Sequence, residues 1–405
     1  MIEVGDEGHP PLEGVRVVEM GSLLAGPFCG QLLADFGAEV IKLEPPRTGD
    51  PMREWGRHRK DGRTLWWPII ARNKKSVTLN LREWEGQALA RRLIAGADVV
   101  VENFRPGTLE RWELGYEELS QMNPGLVMVR VSGYGQTGPY RERAGFGAIG
   151  ESMGGIRHVT GFPDRPPPRV GVSLGDSLAA TFGAFGAVTA LYNREARGGE
   201  GQVVDVGIYE AVLALMESTI PEYVLAGHVR GRTGTILPFV APSNTYPTGE
   251  GDYVVIGANA DTVFARFAEA TGHPEWAEDE RYATHNARGE NQEDLDALIS
   301  GWTREHTVDE VLEILGDAGV PAGKVFTARD MVEDPHYAAR ENVVTVDDPE
   351  MGEFPMQNVV PRLVGTPGKV RWTGPSLGQH NDEVYGKVLG LNGEEREELR
   401  GRGVI

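Results

Sequence analysis

Apolar and polar positions along the first 200 residues follow two alternating patterns. Short runs rich in Val and Ile predict strands at residues 15–19, 39–43, 77–80, 98–102 and 126–131. Stretches with apolar residues three or four positions apart predict helices at residues 27–36 and 83–94. Because strands and helices alternate, we expect an α/β fold with a parallel sheet covered by helices.

The pattern changes in the second half of the chain. Turn residues interrupt it over 221–247, and the segment beyond has a strand at 253–256 and helices at 262–271, 293–303 and 308–318. The tail from Asp330 has weak strands and a charged last helix at 394–400. We therefore divide the chain into a large domain over 1–224, a smaller α/β domain over 225–325 and a return to the large domain over 326–405.

A long apolar helix is predicted immediately after a Gly-Asp pair. Residues 177–192 are small and apolar for over four turns, which indicates a buried helix whose first turn carries Asp176. A Gly/Pro-rich stretch, residues 161–168, precedes this segment. An Asp before a helical run is commonly an N-cap, so the residues alone leave Asp176 as either a cap or a reactive carboxylate.

Three segments have the composition of anion-binding sites. The loop 21–27 has glycines that would let a phosphate approach a helix N-terminus, but it matches neither the dinucleotide nor the P-loop fingerprint. Residues 72–75 form a cationic run, which is either an anion site or a solvated face. Residues 102–111 place an amide, an aromatic ring and two guanidiniums after an apolar strand, which suits a purine and its phosphates.

Composition excludes several classes of function. The net charge of −20 argues against nucleic acid or an anionic membrane as a partner, since both bind clustered cations. No run of about 18 apolar residues occurs and the first residues are acidic, so we expect a soluble, cytoplasmic protein. The single Cys29 is typical of helix packing, and the nine scattered histidines lead us to predict no metal site.

An ordered set of motifs resembles family III CoA-transferases, which include formyl-CoA:oxalate, carnitine and succinyl-CoA-dependent enzymes and share their fold with α-methylacyl-CoA racemases. The motifs lie at residues 25–28, 35–44, 49–50, 73–76, 101–107 and 175–176. The resemblance implies a large domain with a Rossmann-like sheet, a smaller α/β domain and an interlocked homodimer. It also implies that acyl-CoA and a small carboxylic acid are substrates, with no tightly bound cofactor.

The same resemblance assigns roles to residues. Asp176 matches the family's nucleophile, which forms an aspartyl-CoA thioester through mixed anhydrides. The positions that match CoA contacts are Leu24, Ala25, Leu79, Asn80, Leu81, Arg82, Asn103, Phe104, Arg105 and Arg111. Gly257, Ala258 and Asn259 fall where the family has a mobile loop over the aspartate, although an ordinary strand-end turn is the alternative.

Two positions depart from the formyl-CoA enzymes, which carry Arg where this chain has Pro45 and Lys near Ala144. Arg141 or Arg143 is the candidate replacement for the second contact. An anion-binding role for an arginine near the pocket, Arg53 or Arg169, would suit the distal carboxylate of a dicarboxylic substrate.

Two other functions stay open on the sequence. A racemase would need a histidine after Gly138-Pro139, and residues 144–147 contain none. A non-catalytic acyl-CoA-binding protein would use Asp176 merely as a helix cap. For a transferase, the chain resembles enzymes that take succinyl-CoA and a dicarboxylate such as malate, citramalate or glutarate, notably at 236–238 and 241–246, while oxalate or an aromatic acid stays open.

Overall fold

The structure is a computed structural model that describes residues 9–405. Its strands are β1 (Arg16–Glu19), β2 (Glu39–Glu44), β3 (Arg59–Lys60), β4 (Arg63–Thr64), β5 (Lys74–Thr78), β6 (Val99–Glu102), β7 (Val127–Ser132), β8 (Val203–Gly207), β9 (Ser243–Pro247), β10 (Tyr253–Gly257), β11 (Ala322–Lys324), β12 (Val343–Asp348) and β13 (Gly352–Gln357).

Helices occur between and after these strands, and most of them are short. They are α1 (Ala25–Asp35), α2 (Trp67–Ile70), α3 (Trp84–Ile94), α4 (Thr108–Arg111), α5 (Tyr116–Met122), α6 (Gly147–Met153), α7 (Ile156–Val159), α8 (Leu174–Arg197), α9 (Ile208–Leu213), α10 (Thr219–Ala226), α11 (Asp261–Ala270), α12 (Glu275–Glu278), α13 (His285–Glu290), α14 (Gln292–Thr303), α15 (Val308–Asp317), α16 (Ala328–Glu333), α17 (Pro335–Ala339), α18 (Asn381–Glu383) and α19 (Gly393–Gly401). A 3₁₀ turn covers Pro51–Arg53 and a π-helical turn covers Val384–Val388.

The chain divides into two compact units. The large unit consists of the described chain up to Ile156 together with Arg169–Ile220 and His336–Ile405. The small unit consists of Arg157–Pro168 and Pro221–Pro335. The small unit thus takes in a Gly/Pro-rich segment that the sequence-based division assigned to the large domain.

A six-stranded parallel sheet forms the centre of the large unit, with strand order β5-β2-β1-β6-β7-β8. Val18 on β1 pairs with Ile41 on β2 and with Val100 on β6, and all three are buried. Valines that alternate along each strand face either α1 and α8 or α3 and α5, which gives two hydrophobic layers. The predicted α/β class with a parallel sheet is confirmed.

The strand predicted at residues 77–80 is wrong in its bounds. Strand β5 begins at Lys74 and pairs with β2 from Val40↔Lys74 to Glu44↔Thr78. The start of β5 was not predicted because its first two residues are lysines, which are rarely buried in a sheet. A lysine inside a sheet needs a charged or polar partner, and that partner cannot be identified from the neighbouring sequence. The edge strand β8 and the short helices α6 and α9 were also not predicted.

Helix α8 packs its small residues against the sheet and α1. A Cβ on Gly183 would lie 3.1 Å from Val129 Cγ1 and 3.5 Å from Cys29 Sγ, so this contact is already close. Burial raises the pKa of the Cys29 thiol to about 12, as expected for a packing residue. By length and composition alone α8 could cross a membrane, but 44% of its most apolar window is buried, and its packing on the sheet is that of a core helix.

The small unit has its own core. A three-stranded antiparallel sheet of order β11-β10-β9 is covered by α11, α14 and α15. Phe264, Phe267 and Ile299 are fully or almost fully buried in this core. Arg288 is also fully buried and donates to the carbonyls of Ala241 and Tyr282.

Candidate active site

Three loops follow the carboxyl ends of neighbouring strands in the large unit. Leu24 and Ala25 come after β1, residues 79–82 come after β5, and residues 103–105 come after β6. Because these strands lie on one parallel sheet in the order β5-β2-β1-β6, the loops share one edge. The order reverses between β1 and β6, and ligands of open α/β sheets bind at such a switch point.

Asn103 ties two of these loops together. Its Oδ1 accepts a hydrogen bond from Ser22 N at 2.8 Å, and its Nδ2 donates to Ser22 O at 2.9 Å. A Cβ on Gly21 would lie 2.7 Å from Asn103 Oδ1, and one on Gly26 would lie 3.2 Å from it. The glycines of the first loop therefore make room for the Asn103 side chain.

The aromatic and basic residues after β6 lie at the surface. Phe104 packs edge-on against Trp112 with ring centroids 5.3 Å apart and is half-buried. Arg105 and Arg111 are exposed, and Arg111 Nη2 donates to Thr108 Oγ1 at 3.0 Å. Both guanidiniums are thus accessible to a phosphate.

The segment after β5 becomes more exposed from its first residue to its last. Leu79 is buried, Leu81 is partly buried and Arg82 is exposed. Asn80 N donates to Val404 O at 2.8 Å, and Asn80 Oδ1 accepts from Arg82 N at 3.2 Å. Arg82 is the group of this segment that a ligand at the surface can reach.

A buried charge cluster lies beneath the first loop. Lys42 Nζ is 2.9 Å from Glu19 Oε1 and 2.8 Å from Asp50 Oδ2, and Lys74 Nζ is 2.7 Å from Glu19 Oε2. All four side chains are at most 2% exposed. Burial alone would lower the pKa of the Lys42 ammonium, but Asp50 and Glu19 outweigh it and raise that pKa.

This cluster shows what the cationic run at residues 72–75 does. Lys74 is paired with Glu19, and Arg72 Nη2 is 2.6 Å from Asp35 Oδ2. Both basic side chains are buried. For Arg72 and Lys74, both alternatives are therefore wrong: neither residue forms an anion site and neither lies on a solvated face.

Asp50 also shapes the loop that precedes Leu24. Its Oδ1 accepts from Leu23 N at 3.1 Å and from Met52 N at 2.9 Å. Leu23 has a φ of 66°, a left-handed conformation that costs energy for a residue with a branched side chain. The buried Lys42–Asp50 pair and Asn103 together hold this strained loop in place.

Asp176 is the third residue of α8, whose N-cap is Ser173. Within residues 9–405 we find no hydrogen bond to the Asp176 carboxylate, so the interpretation as a helix cap is wrong. A Cβ on Gly147 would lie 2.4 Å from Asp176 Oδ2. A Cβ on Gly175 would lie 2.9 Å from Gly147 O. The carboxylate therefore rests against a backbone that only glycine allows.

The surroundings of Asp176 favour its protonated form more than water does. Burial, followed by the negative charge of Glu151, raises the pKa of Asp176 to about 6, while Arg169 acts in the opposite direction. Glu151 lies on α6, is buried, and accepts from Gly175 N at 3.2 Å. The sequence did not single out Glu151, although it is the one acid within the small-residue segment 147–153.

The segment Gly257–Asn259 lies in the small unit, where several bonds hold it. Ala258 is fully buried and its N–H donates to Pro242 O at 2.9 Å. Asn259 O accepts from Arg288 Nη2 at 2.7 Å and lies 3.0 Å from His285 Nδ1. These contacts are those of a strand-end turn, and movement of the loop stays a prediction.

A cavity of about 760 Å³ opens elsewhere in the large unit, lined among others by Trp67, Trp372 and His380. None of the sequence-predicted CoA contacts lines it. Arg53 does line it, but its Nε and Nη2 donate to the Glu44 carboxylate at 2.7 and 2.8 Å. Arg53 is therefore not available for a substrate carboxylate, whereas Arg169 is exposed.

The two positions that depart from the formyl-CoA enzymes are exposed loop residues. Pro45 follows β2, and Ala144 lies before α6. The Arg143 guanidinium lies 3.7 Å from the centroid of the Tyr140 ring, and Arg141 is exposed. Both arginines can therefore reach a ligand at the surface.

Comparison with known proteins identifies the family. The model of CoA-transferase family III matches residues 12–381. The chain belongs to this family. This family III CoA-transferase is 64% identical over 395 residues to the succinyl-CoA–D-citramalate CoA-transferase of Chloroflexus aurantiacus, with 98% of each chain covered.

Two further similarities agree with this assignment. The enzyme is 42% identical to the α subunit of succinyl-CoA–L-malate CoA-transferase of Chloroflexus aurantiacus, over 98% of this chain and 92% of that one. A CAIB/BAIF family protein from Brucella suis has a solved structure with a TM-score of 0.83 and 36% identity, covering 94% of this chain and 100% of that one. The predicted family and the transferase class are confirmed.

Proposed function

We propose that this family III CoA-transferase moves CoA from succinyl-CoA to D-citramalate, with Asp176 as the nucleophile. The observation that carries the choice of substrates is the full-length 64% identity to an enzyme named for this pair. The 42% identical relative named for L-malate also uses succinyl-CoA and a hydroxylated dicarboxylate.

The proposed reaction conserves the thioester through four exchanges at one carboxylate. Asp176 attacks the thioester carbonyl of succinyl-CoA, the C–S bond breaks, and a succinyl-aspartyl anhydride and CoA thiolate form. The thiolate attacks the aspartyl carbonyl, which releases succinate and leaves an aspartyl-CoA thioester. The citramalate carboxylate attacks this thioester and expels CoA thiolate. The thiolate then attacks the citramalyl carbonyl of the new anhydride, which releases citramalyl-CoA and the Asp176 carboxylate.

The position of Asp176 supports this role. Its carboxylate has no hydrogen-bonded partner in the described chain, so its lone pairs are available for attack. Its pKa of about 6 keeps it ionised at neutral pH while making it more basic than an ordinary Asp.

Loops and exposed arginines at the surface of the large unit would bind the two substrates. The loops after β1, β5 and β6 would hold CoA, with Arg82, Arg105 and Arg111 near its phosphates. Arg169, whose Nη2 is 3.3 Å from Ser173 Oγ, would bind the distal carboxylate of succinate or citramalate. Its place before the first turn of α8 puts this guanidinium close enough to act on Asp176.

We also propose that the enzyme is a homodimer. The face of α8 opposite the sheet exposes four large apolar side chains, which are Phe182, Phe185, Val188 and Tyr192. Phe185 alone is 70% exposed, which is unfavourable unless another surface covers it. Sedimentation equilibrium of the wild type and of Phe185→Glu would test this, and a monomeric wild type would refute it.

The deciding experiment is mass spectrometry of enzyme incubated with succinyl-CoA and trapped with hydroxylamine. We expect an adduct on Asp176 in the wild type and none in Asp176→Ala. A panel of D-citramalate, L-citramalate, L-malate, glutarate and oxalate then identifies the acceptor by product CoA esters. Absence of the adduct, with exchange of the α-proton of an acyl-CoA in deuterated water, would overturn the proposal in favour of a racemase.

A further inference from the structure

Two carboxylates of the large unit are brought together by a contact between glycines. Gly147 and Glu151 lie one turn apart on α6, and Gly175 and Asp176 are adjacent on α8. Gly147 lies against the Asp176 carboxylate, and Gly175 lies against Gly147 O and Glu151 Cγ. A side chain at either glycine would separate the helices, so this contact brings the two acids close together.

Glu151 is held at this contact rather than at the surface. Its side chain is almost fully buried, with the residue 1% exposed, and its Oε1 accepts from Gly175 N at 3.2 Å. That N–H belongs to the peptide immediately before Asp176. The Glu151 carboxylate thus touches the backbone that carries the proposed nucleophile, and it does so without lying at the substrate surface.

We propose that Glu151 is a positioning residue for the transfer reaction, fixing the Gly175 peptide and placing a negative charge beside Asp176. This inference rests on the proposed role of Asp176 as nucleophile. The charge repels Asp176 while that residue is an anion, in the free enzyme. The repulsion disappears when Asp176 becomes a neutral anhydride or thioester, so Glu151 favours acylation relative to the resting state.

The other charged groups around Asp176 do not supply the same repulsion of its carboxylate. Arg169, in the segment before α8, acts with the opposite sign. The third element packed at this contact, α9, presents Ile208 to Gly150 and Gly175. The acid on α9, Glu210, is exposed and accepts from Gly207 N at 3.0 Å.

The test separates the charge of Glu151 from its hydrogen bond. Glu151→Gln keeps an oxygen for Gly175 N–H and removes the charge, whereas Glu151→Ala removes both. Glu210→Gln is the matched control, because it neutralises a nearby acid that caps a different helix. The readout is the pH dependence of the single-turnover rate at which succinyl-CoA forms the trapped Asp176 adduct.

On the acid side of the pH–rate profile, we expect the half-maximal rate of Glu151→Gln to lie about 1 pH unit below that of the wild type. This shift is at the lower end of what a neighbouring charge does to the pKa of a carboxyl group. The plateau rate should fall by up to about tenfold, because a pKa difference of about 1 unit corresponds to at most a tenfold change in rate, and Glu210→Gln should match the wild type. An unmoved acid limb in Glu151→Gln would overturn the inference, as would equal losses in Glu151→Gln and Glu151→Ala without a shift.

The outcomes also distinguish this inference from the function on which it depends. A wild type that forms no adduct on Asp176 would overturn both. A wild type that forms the adduct, with a Glu151→Gln variant whose acid limb is unchanged, would overturn only the role of Glu151. Because the Gln variant has nearly the shape of Glu, the test holds even if Glu151→Ala does not fold.

Discussion

Replacement of Gly147 by alanine should displace the Asp176 carboxylate and slow the enzyme strongly. The new Cβ would lie 2.4 Å from Oδ2, 2.7 Å from Cγ and 3.0 Å from Oδ1 of Asp176. Ordinary contact begins near 3.4 Å, so the carboxylate has to move by about 1 Å. A misplacement of about 1 Å at a reacting group costs roughly 100-fold in rate, or about 2.7 kcal/mol of activation free energy.

The matched control is Gly393→Ala. Like Gly147, Gly393 is the first residue of its helix, but a Cβ there meets no atom within 4 Å. We expect wild-type kcat/KM for succinyl-CoA in Gly393→Ala and about a 100-fold loss in Gly147→Ala, with thermal melts confirming that both fold. If Gly147→Ala stays within about threefold of its control, the contact does not position the nucleophile and the reasoning fails.

Three further predictions concern stability. The folded pKa of Asp176, about 6, lies above its unfolded value, so its stabilising effect is present at low pH and is lost as pH rises through 6. Asp176→Asn should therefore be about 1 to 3 kcal/mol more stable than the wild type at pH 8 and equal to it near pH 3.5, and equal melting temperatures at both pH values would refute this. Lys42→Met should lose about 3 to 5 kcal/mol in urea unfolding, because it leaves the buried carboxylates of Glu19 and Asp50 with one cation fewer. Lys75→Met is its control: it breaks half-exposed ion pairs with Glu39 and Glu383, which should cost under about 1 kcal/mol each. Gly316→Ala in α15 meets no atom within 4 Å and should stabilise the protein by about 0.5 to 1 kcal/mol by calorimetry, whereas a loss would contradict the helical geometry at this position.

Elements of the fold could be predicted from the sequence where the pattern that marks them is contiguous along the chain. The strand β1 and the helix α8 were predicted because their apolar patterns are contiguous. The start of β5 was missed because Lys74 is neutralised by Glu19, which lies on β1. A charged residue that a distant partner compensates looks like a surface residue in the local sequence.

The candidate site, too, could be predicted only where a local motif marks the residue. Asp176 was chosen as the candidate nucleophile through the Gly-Asp pair and its resemblance to a family motif, and the structure then excluded its role as a helix cap. Glu151 could not be found, because its importance comes from the contact of Gly147 with the following helix. Arg53 was considered for substrate binding, but its guanidinium is already bound by Glu44.

The loop around Leu23 has a consequence for how CoA would bind. Asp50 and Asn103 hold Leu23 and Ser22 by their backbone groups. The conformational entropy of this loop is therefore lost during folding, when the buried ion pairs form, and not when a ligand arrives. Binding to an already ordered loop costs less conformational entropy, so more of the contact energy contributes to affinity. The affinity for CoA should therefore depend on the buried ion pairs beneath the loop, although CoA would not contact them.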